Sequence, residues 1–288
     1  MNGISPVRRA KDRLFFALVC LAFVLAVVPL VSVLWMVVKK GATRFDVEFF
    51  THSMRNIDAT DPGGGAYHAI VGTLEMVLLA CAIALPIGIL TAIYLTEYGT
   101  GGRLARVISF FVDVMTGLPS IVAGLFILSA WILVLGFAFS GFAGSLALSI
   151  LMMPVVVRGT EEMLRLVPDD LREASLALGV PKWRTIMWVV LPTALPGIVT
   201  SVILAIARIA GETAPLLLVC FFTDSINNDP FGGPQVALPQ FIYEQAGKPN
   251  GTAIDRAWTG ALTLIIIVML LNLAGRAIAK WRAPARSR

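Results

Sequence analysis

Apolar stretches long enough to cross a bilayer alternate with polar, charge-bearing connections along the whole chain. Residues 14–38 form an uncharged run of 25 behind Arg8, Arg9, Lys11 and Arg13. A signal peptide shares that basic flank, but its apolar core is about 7–15 residues long and ends in a small-residue cleavage pattern. This run is longer and lacks the pattern, so it predicts a spanning helix with its N-terminus held inside. Residues 39–68 are polar and end in DPGGGAYH, which predicts a loop. No Gly-Lys-Ser/Thr follows the glycines, so they do not make a phosphate-binding loop. The second span covers about 69–96, with Glu75 its only charge and Tyr94 and Tyr98 suited to an interface. GTGGRLAR is then a short turn carrying Arg103 and Arg106.

Residues 107–157 contain a single charge, Asp113. That length predicts two spans joined by a tight turn within residues 136–144, GFAFSGFAG. Inside the first of them GLPSIVAG mixes Gly, Pro and Ser. It is either a helix break lining a cavity or a seam of close helix packing, and one helix can serve both. A fifth span is expected over about 192–222 and a sixth over about 257–274. Between them lies a polar loop in which LPQFIYEQ suits a short interfacial helix.

Composition agrees: 57% of the 288 residues are hydrophobic and 14% charged, and mean hydropathy is +0.83. A soluble domain of this length has no core able to hide so much apolar side chain, whereas spans of roughly 20 residues suit a bilayer core of about 30 Å. The expected fold class is therefore all-α, a polytopic membrane protein with six transmembrane helices. Six spans put both ends on one side, together with Arg8, Arg9, Lys11, Arg13, Arg103, Arg106, Arg158, Arg165, Arg172, Lys182, Arg184 and the tail's Arg276, Lys280, Arg282, Arg286 and Arg288. The opposite side keeps Lys39, Lys40, Arg44, Arg55, Lys248 and Arg256. Sixteen of the 23 Lys and Arg against six is a positive-inside bias that makes the shared side cytoplasmic. That distribution, and not nucleic-acid binding, accounts for the net charge of +5. Cys20, Cys81 and Cys220 sit in apolar runs without metal-ligand spacing. His52 and His68 stand apart in a polar connection, so no metal centre is expected.

The charge-rich segment DDLREASLALGVPKWRTIMWVVLP, residues 169–192, interrupts the apolar pattern. Asp170 is placed to cap a helix, with Glu173 closing a capping box. Leu171, Ala174, Ser175 and Leu178 share one helical face. Gly179 supplies the stop, and Pro181 suits the first position of a second helix. The pattern predicts two short helices at a sharp bend; taken alone, it also fits an ordinary amphipathic surface loop.

Glu173, Ala174 and Ser175, then Gly179 three residues on, then VVLP nine residues later, resemble the cytoplasmic EAA loop of bacterial ABC importer permeases. Ser175 replaces the second Ala of that pattern and Val189 its Ile. A wider stretch, from TEEMLRLVPDDLREASLALG to ARIAGETAPLLL, is similar to the phosphate-transport permeases. The resemblance implies a type I ABC importer permease fold: a cytoplasmic tail over residues 1–13, a transmembrane domain over 14–280 with its coupling loop at about 159–190, and a tail over 281–288. It implies that Glu173, Ala174, Ser175 and Gly179 dock on an ATP-binding subunit dimer. It further implies a second, homologous permease subunit and an extracytoplasmic phosphate-binding protein, in a bacterial inner membrane.

Arg208 and Glu212 stand four residues apart near the middle of the fifth span, which predicts one helix face. An ionisable side chain at that depth costs about 2.5–3.5 kcal/mol on insertion scales, so it needs a partner or a task. The two either neutralise each other or line the substrate path, Arg208 offering an oxyanion its bidentate guanidinium and Glu212 holding it in place. The segment R-x-x-GETAP also occurs in the phosphate-transport family, which favours the path. Arg158, expected at the cytoplasmic end of the fourth span, is a second candidate, for inward release of an anion or simply for snorkelling to headgroups. Asp113 and Glu75 read as helix–helix contacts, because a carboxylate repels an anion. No nucleotide-binding loop or nucleophile–base set is visible, so this chain is expected to bind no cofactor of its own, with ATP on the partner subunit. The expected function is translocation of inorganic phosphate. The alternatives are another oxyanion such as sulfate, molybdate or a phosphonate, or an ion-coupled secondary transporter, for which no internal repeat is evident.

Overall fold

Proline, glycine and small side chains set where the helices of this chain break, bend and approach one another. The computed structural model describes residues 6–99 and 101–282, and every regular element among them is helical. Thr100 of the predicted turn, Arg286 and Arg288 of the tail, and residues 1–5 lie outside the described residues.

The first helix, α1 (Pro6–Gly41), runs past both predicted ends of the first span. The polar connection after it carries a short α2 (Val47–Thr51), capped by Asp46, whose carboxylate accepts the Phe49 N–H at 2.8 Å. Next comes α3 (Tyr67–Ile93), whose last turn widens into a π-helix over Tyr94–Tyr98. His68 sits in the first turn of α3 and is buried there, not in the polar connection.

The third span is broken. Helix α4 (Arg103–Thr116) and α5 (Ser120–Ile127), the latter extended by a π-helix over Leu128–Val134, meet at 108°. Pro119 restricts Leu118 to extended backbone and donates no N–H, so the helix stops at Thr116. The turn that follows returns the chain into α6 (Gly141–Arg165), where Ser140 caps the Ala143 N–H.

Two short helices, α7 (Asp169–Ala177) and α8 (Lys182–Thr185), lead through a π-helix over Ile186–Val190 into α9 (Leu191–Ala210). The fifth span therefore begins at Lys182, ten residues before Pro192, because the helix continues through that proline. A widened turn just ahead of Pro192 accommodates the missing donor and the ring. After a break come α10 (Ala214–Val219), the predicted short helix as α11 (Leu238–Gly247), and α12 (Gly251–Arg282). Helix α12 starts well before residue 257, which draws Arg256 out of the loop and into a helix. Among the described residues, five helices are long and apolar enough to cross a membrane, and the bent α4–α5 pair makes six if it counts as one span.

The core lies where α3, α5, α6, α9 and α10 meet. Along α3, Ala69, Thr73, Met76, Ala80, Ala84, Gly88 and Ala92 are buried at intervals of three or four. That stripe of mostly small residues lets α3 lie against α6 at close range, which in lipid replaces the hydrophobic drive. A Cβ on Gly88 would sit 2.8 Å from Val156 Cγ1, while near the other end Met76 reaches Gly144. The two helices thus run in the same direction. Antiparallel to them lies α9: Gly159 abuts Ser201, and Gly197 abuts Met163. Gly124 of α5 meets the backbone of Pro215, where a Cβ would stand 2.7 Å from its Cα. GLPSIVAG is therefore a break at its first half and a packing seam at its second.

Candidate functional site

The elbow between α7 and α8 stands at the end of the bundle where α3 and α6 finish. Its first helix is not capped by Asp170. Pro168 occupies the cap position at φ −58°, with no side-chain cap. That proline places both Asp169 and Asp170 in the first turn, where they favour the helix dipole without a capping box. The predicted common face also divides. Ser175 is buried and its hydroxyl meets that of Thr185 at 2.9 Å, joining α7 to α8. Leu171 and Ala174 are exposed, and Leu178 is 84% exposed. Gly179 makes the bend at φ +78°, in the left-handed region open to glycine. Pro181 is the cap of α8 and not its first residue, one position later than the spacing suggested.

Glu173 and Ala174 are exposed, as are Trp183 and Trp188 beyond the bend. A cavity of about 670 Å3 opens there, lined by Ser175, Val180, Trp183, Arg184, Trp188 and Val189. An apolar hollow thus lies beside an exposed carboxylate and an unfilled bend. Arg172, next to Glu173 in sequence, faces the other way and bonds to the chain's own helix ends.

Among the charges inside the spans, the structure separates two residues expected to meet. Helix α9 ends at Ala210 with Gly211 as its C-cap, so Glu212 lies beyond the helix and shares no helical face with Arg208. No ion pair joins Arg208 to Glu212 among the described residues. Four-residue spacing makes a pair only while the helix continues, and the break before Pro215 ends it. Arg208 is exposed in the last turn of α9, and Glu212 is half-buried in the break.

Arg158 lies two turns inside α6 and not at its end. It is held by its own chain: Nη2 reaches Asp113 Oδ1 at 2.5 Å, Nη1 reaches Glu161 Oε2 at 2.5 Å, and Nη2 donates to the Ser109 hydroxyl at 2.8 Å. Asp113 is the helix–helix contact expected of it. Glu75 is instead a helix–loop contact, accepting the Nε2 amide of Gln235.

The opposite end of the bundle carries a site the sequence did not suggest. Arg256, 0% exposed, donates to the carbonyls of Asp61 and Gly63, and Arg44 also donates to Gly63 and Gly64. Glu48 accepts the Gly64 N–H at 2.9 Å. The triple glycine is thus a loop gripped by two arginines; a Cβ on Gly65 would stand 2.4 Å from the Phe49 carbonyl. The available signal was an arginine at the margin of an apolar run. Nearby in sequence, burial pushes the carboxyls of Asp224 and Glu244 above the usual carboxylate range, while Lys248 draws both back.

Residues 84–288 match the family described as binding-protein-dependent transport system inner membrane component. The chain is 50% identical over 274 residues to the phosphate transport system permease protein PstA 1 of Mycobacterium tuberculosis, covering 94% of this chain and 88% of that one. It is 40% identical over 275 residues to PstA of Yersinia pestis, covering 94% and 90%. Its fold resembles that of a chain in the inward-facing MetNI methionine ABC transporter, with a TM-score of 0.58 at 24% identity over 76% of this chain and 95% of that one.

Proposed function

The chain belongs to the family of binding-protein-dependent transport system inner membrane components, and from that premise we propose that it is the permease subunit through which an ATP-driven importer moves inorganic phosphate across a bacterial inner membrane. The carrying observation is the α7–α8 elbow, standing exposed at one end of a six-span bundle in a chain half-identical to a phosphate permease. Its partners are a pair of ATP-binding subunits at the elbow, a second permease subunit that completes the path, and a phosphate-binding protein at the opposite face. Hydrolysis belongs to the ATP-binding subunits; this chain converts their movement into rearrangement of its spans. Both termini lie on the cytoplasmic side with the elbow, in keeping with the distribution of Lys and Arg.

Arg208 is the residue this reading assigns to the path. It is exposed at a helix break, and neither Asp nor Glu neutralises it among the described residues. Its guanidinium is placed to donate two hydrogen bonds to phosphate oxygens. A hydrogen bond to a charged group contributes about 1.5–3 kcal/mol, so Arg208→Gln is expected to cut phosphate uptake roughly 10–150-fold in an intact complex. Adding Glu212→Gln should restore nothing. Uptake by that double variant at the wild-type rate would remove Arg208 from the path.

A further inference from the structure

The elbow is covalently continuous with two of the helices it must move, α6 before it and α9 after it, but not with α3. Helix α3 ends at the same face of the bundle, in the π-helical turn Tyr94–Tyr98. Polar contacts bridge that gap. Arg172 of α7 reaches Glu97 Oε1 through Nη2 at 2.9 Å and Nε at 3.2 Å. The same guanidinium donates to the Leu164 carbonyl at 2.8 Å and the Val167 carbonyl at 2.6 Å, in the last turn of α6 and just beyond it, and to Asp169 at 3.0 Å. Glu97 is 7% exposed and Arg172 18%, so little water competes for the bond. Lys182 of α8 donates to the Glu97 main-chain carbonyl and lies over the Tyr98 ring at 5.1 Å. One residue at the end of α3 is therefore held by its side chain from α7 and by its backbone from α8.

We propose that Arg172 and Glu97 form the strut that carries displacement of the elbow into α3. They are positioning residues of the transport step, distinct from the exposed Glu173 and Ala174 that face the ATP-binding subunit. The inference rests on the functional reading above. Charge-assisted bonds to a carboxylate and to two carbonyls fix the guanidinium in one geometry, so α7, the end of α6 and the end of α3 move together. Without the strut the elbow still docks and still pulls α6 and α9, but α3 lags. ATP is then hydrolysed with less phosphate moved.

The test uses the complete importer in proteoliposomes, with the phosphate-loaded binding protein supplied. Phosphate uptake and ATP hydrolysis are measured together, and subunit ratios are checked after purification. In Arg172→Ala and in Glu97→Ala the ATP-binding subunits are expected to co-purify at the wild-type ratio. Phosphate moved per ATP should fall at least about fivefold, the lower edge of typical coupling between sites. The double variant should be no worse than Arg172→Ala alone, since that change already breaks the bond to Glu97. Arg172→Lys, which keeps the charge but gathers its donors on a single nitrogen, should recover part of the loss. An unchanged ratio of phosphate to ATP in Glu97→Ala would overturn the strut. So would loss of the ATP-binding subunits from both alanine variants, which would assign the pair to the shape of the docking surface. A wild-type complex without ATP-driven phosphate uptake would overturn the functional reading itself.

Discussion

Arg158→Met keeps the aliphatic stem of a residue two turns from the C-terminal end of α6 and removes every bond its guanidinium makes. Those bonds run to Asp113 Oδ1 from Nε and Nη2, to Glu161 Oε2 from Nη1, and to the hydroxyl and carbonyl of Ser109 from Nη2. The two carboxylates differ in what they lose. Asp113 is 66% exposed, and a pair with so accessible a partner contributes at most about 1 kcal/mol. Glu161 is 7% exposed and, among the described residues, keeps an ion pair with Arg165 alone, whose own side chain is 69% exposed. Losing a charged bond to a buried carboxylate costs about 1.5–3 kcal/mol, and the surviving Arg165 holds the total toward the lower end. The expected order is Arg158→Met destabilised by about 2 kcal/mol and Asp113→Asn by under about 1 kcal/mol. Thermal unfolding of the purified complex, followed by tryptophan fluorescence, reads this as a fall of several degrees against roughly one or two. Equal falls would refute the assignment of Glu161 as the buried centre of the network. Wild-type melting of Arg158→Met combined with lost phosphate uptake would refute it too, and would place Arg158 in the path.

Three further expectations concern other parts of the chain. Gly72→Ala drives a Cβ to 2.2 Å from the Val236 carbonyl, backbone that cannot rotate away. It should cost about 1–3 kcal/mol and loosen the segment around Gln235, read by hydrogen exchange there. Gly179→Ala meets nothing within 4 Å and should cost only the strain of its φ of +78°, about 1–2 kcal/mol, with normal protection elsewhere. Asp224 and Glu244 carry folded-state carboxyl pKa values raised by burial. The folded state therefore binds their protons more readily than the unfolded state does. Their stabilising contribution is complete below the ordinary carboxylate range and is lost as pH rises through the raised values. Exchange protection of residues 223–248, corrected for intrinsic rate, should be greater near about pH 5 than at about pH 7, and Asp224→Asn should flatten that difference. A pH-independent segment in the wild type would count against these carboxyls being buried.

Apolar runs of bilayer length, the polar connections between them and the bend after α7 were legible along the chain, because each depends on residues close in sequence. A span needs only a continuous apolar stretch, and a glycine stop needs only its own φ. GLPSIVAG left a helix break and a packing seam both open in the sequence, and the structure holds a break at Gly117–Pro119 and a seam at Gly124. Partnerships were not. Arg208 and Glu212 have the spacing of a pair, and only the end of α9 at Ala210 separates them. Arg172 and Glu97 lie far apart in sequence and meet because a stripe of small residues lets α3 lie along α6 until both finish at the same face. Arg256 counted as a loop charge in the sequence, and its burial against the Asp61–Gly63 carbonyls depends on how α12 meets a distant turn. Local backbone preference and hydropathy are properties of a segment, whereas the burial of a charge and the identity of its partner depend on which helices approach closely. Those approaches were decided by the tertiary packing.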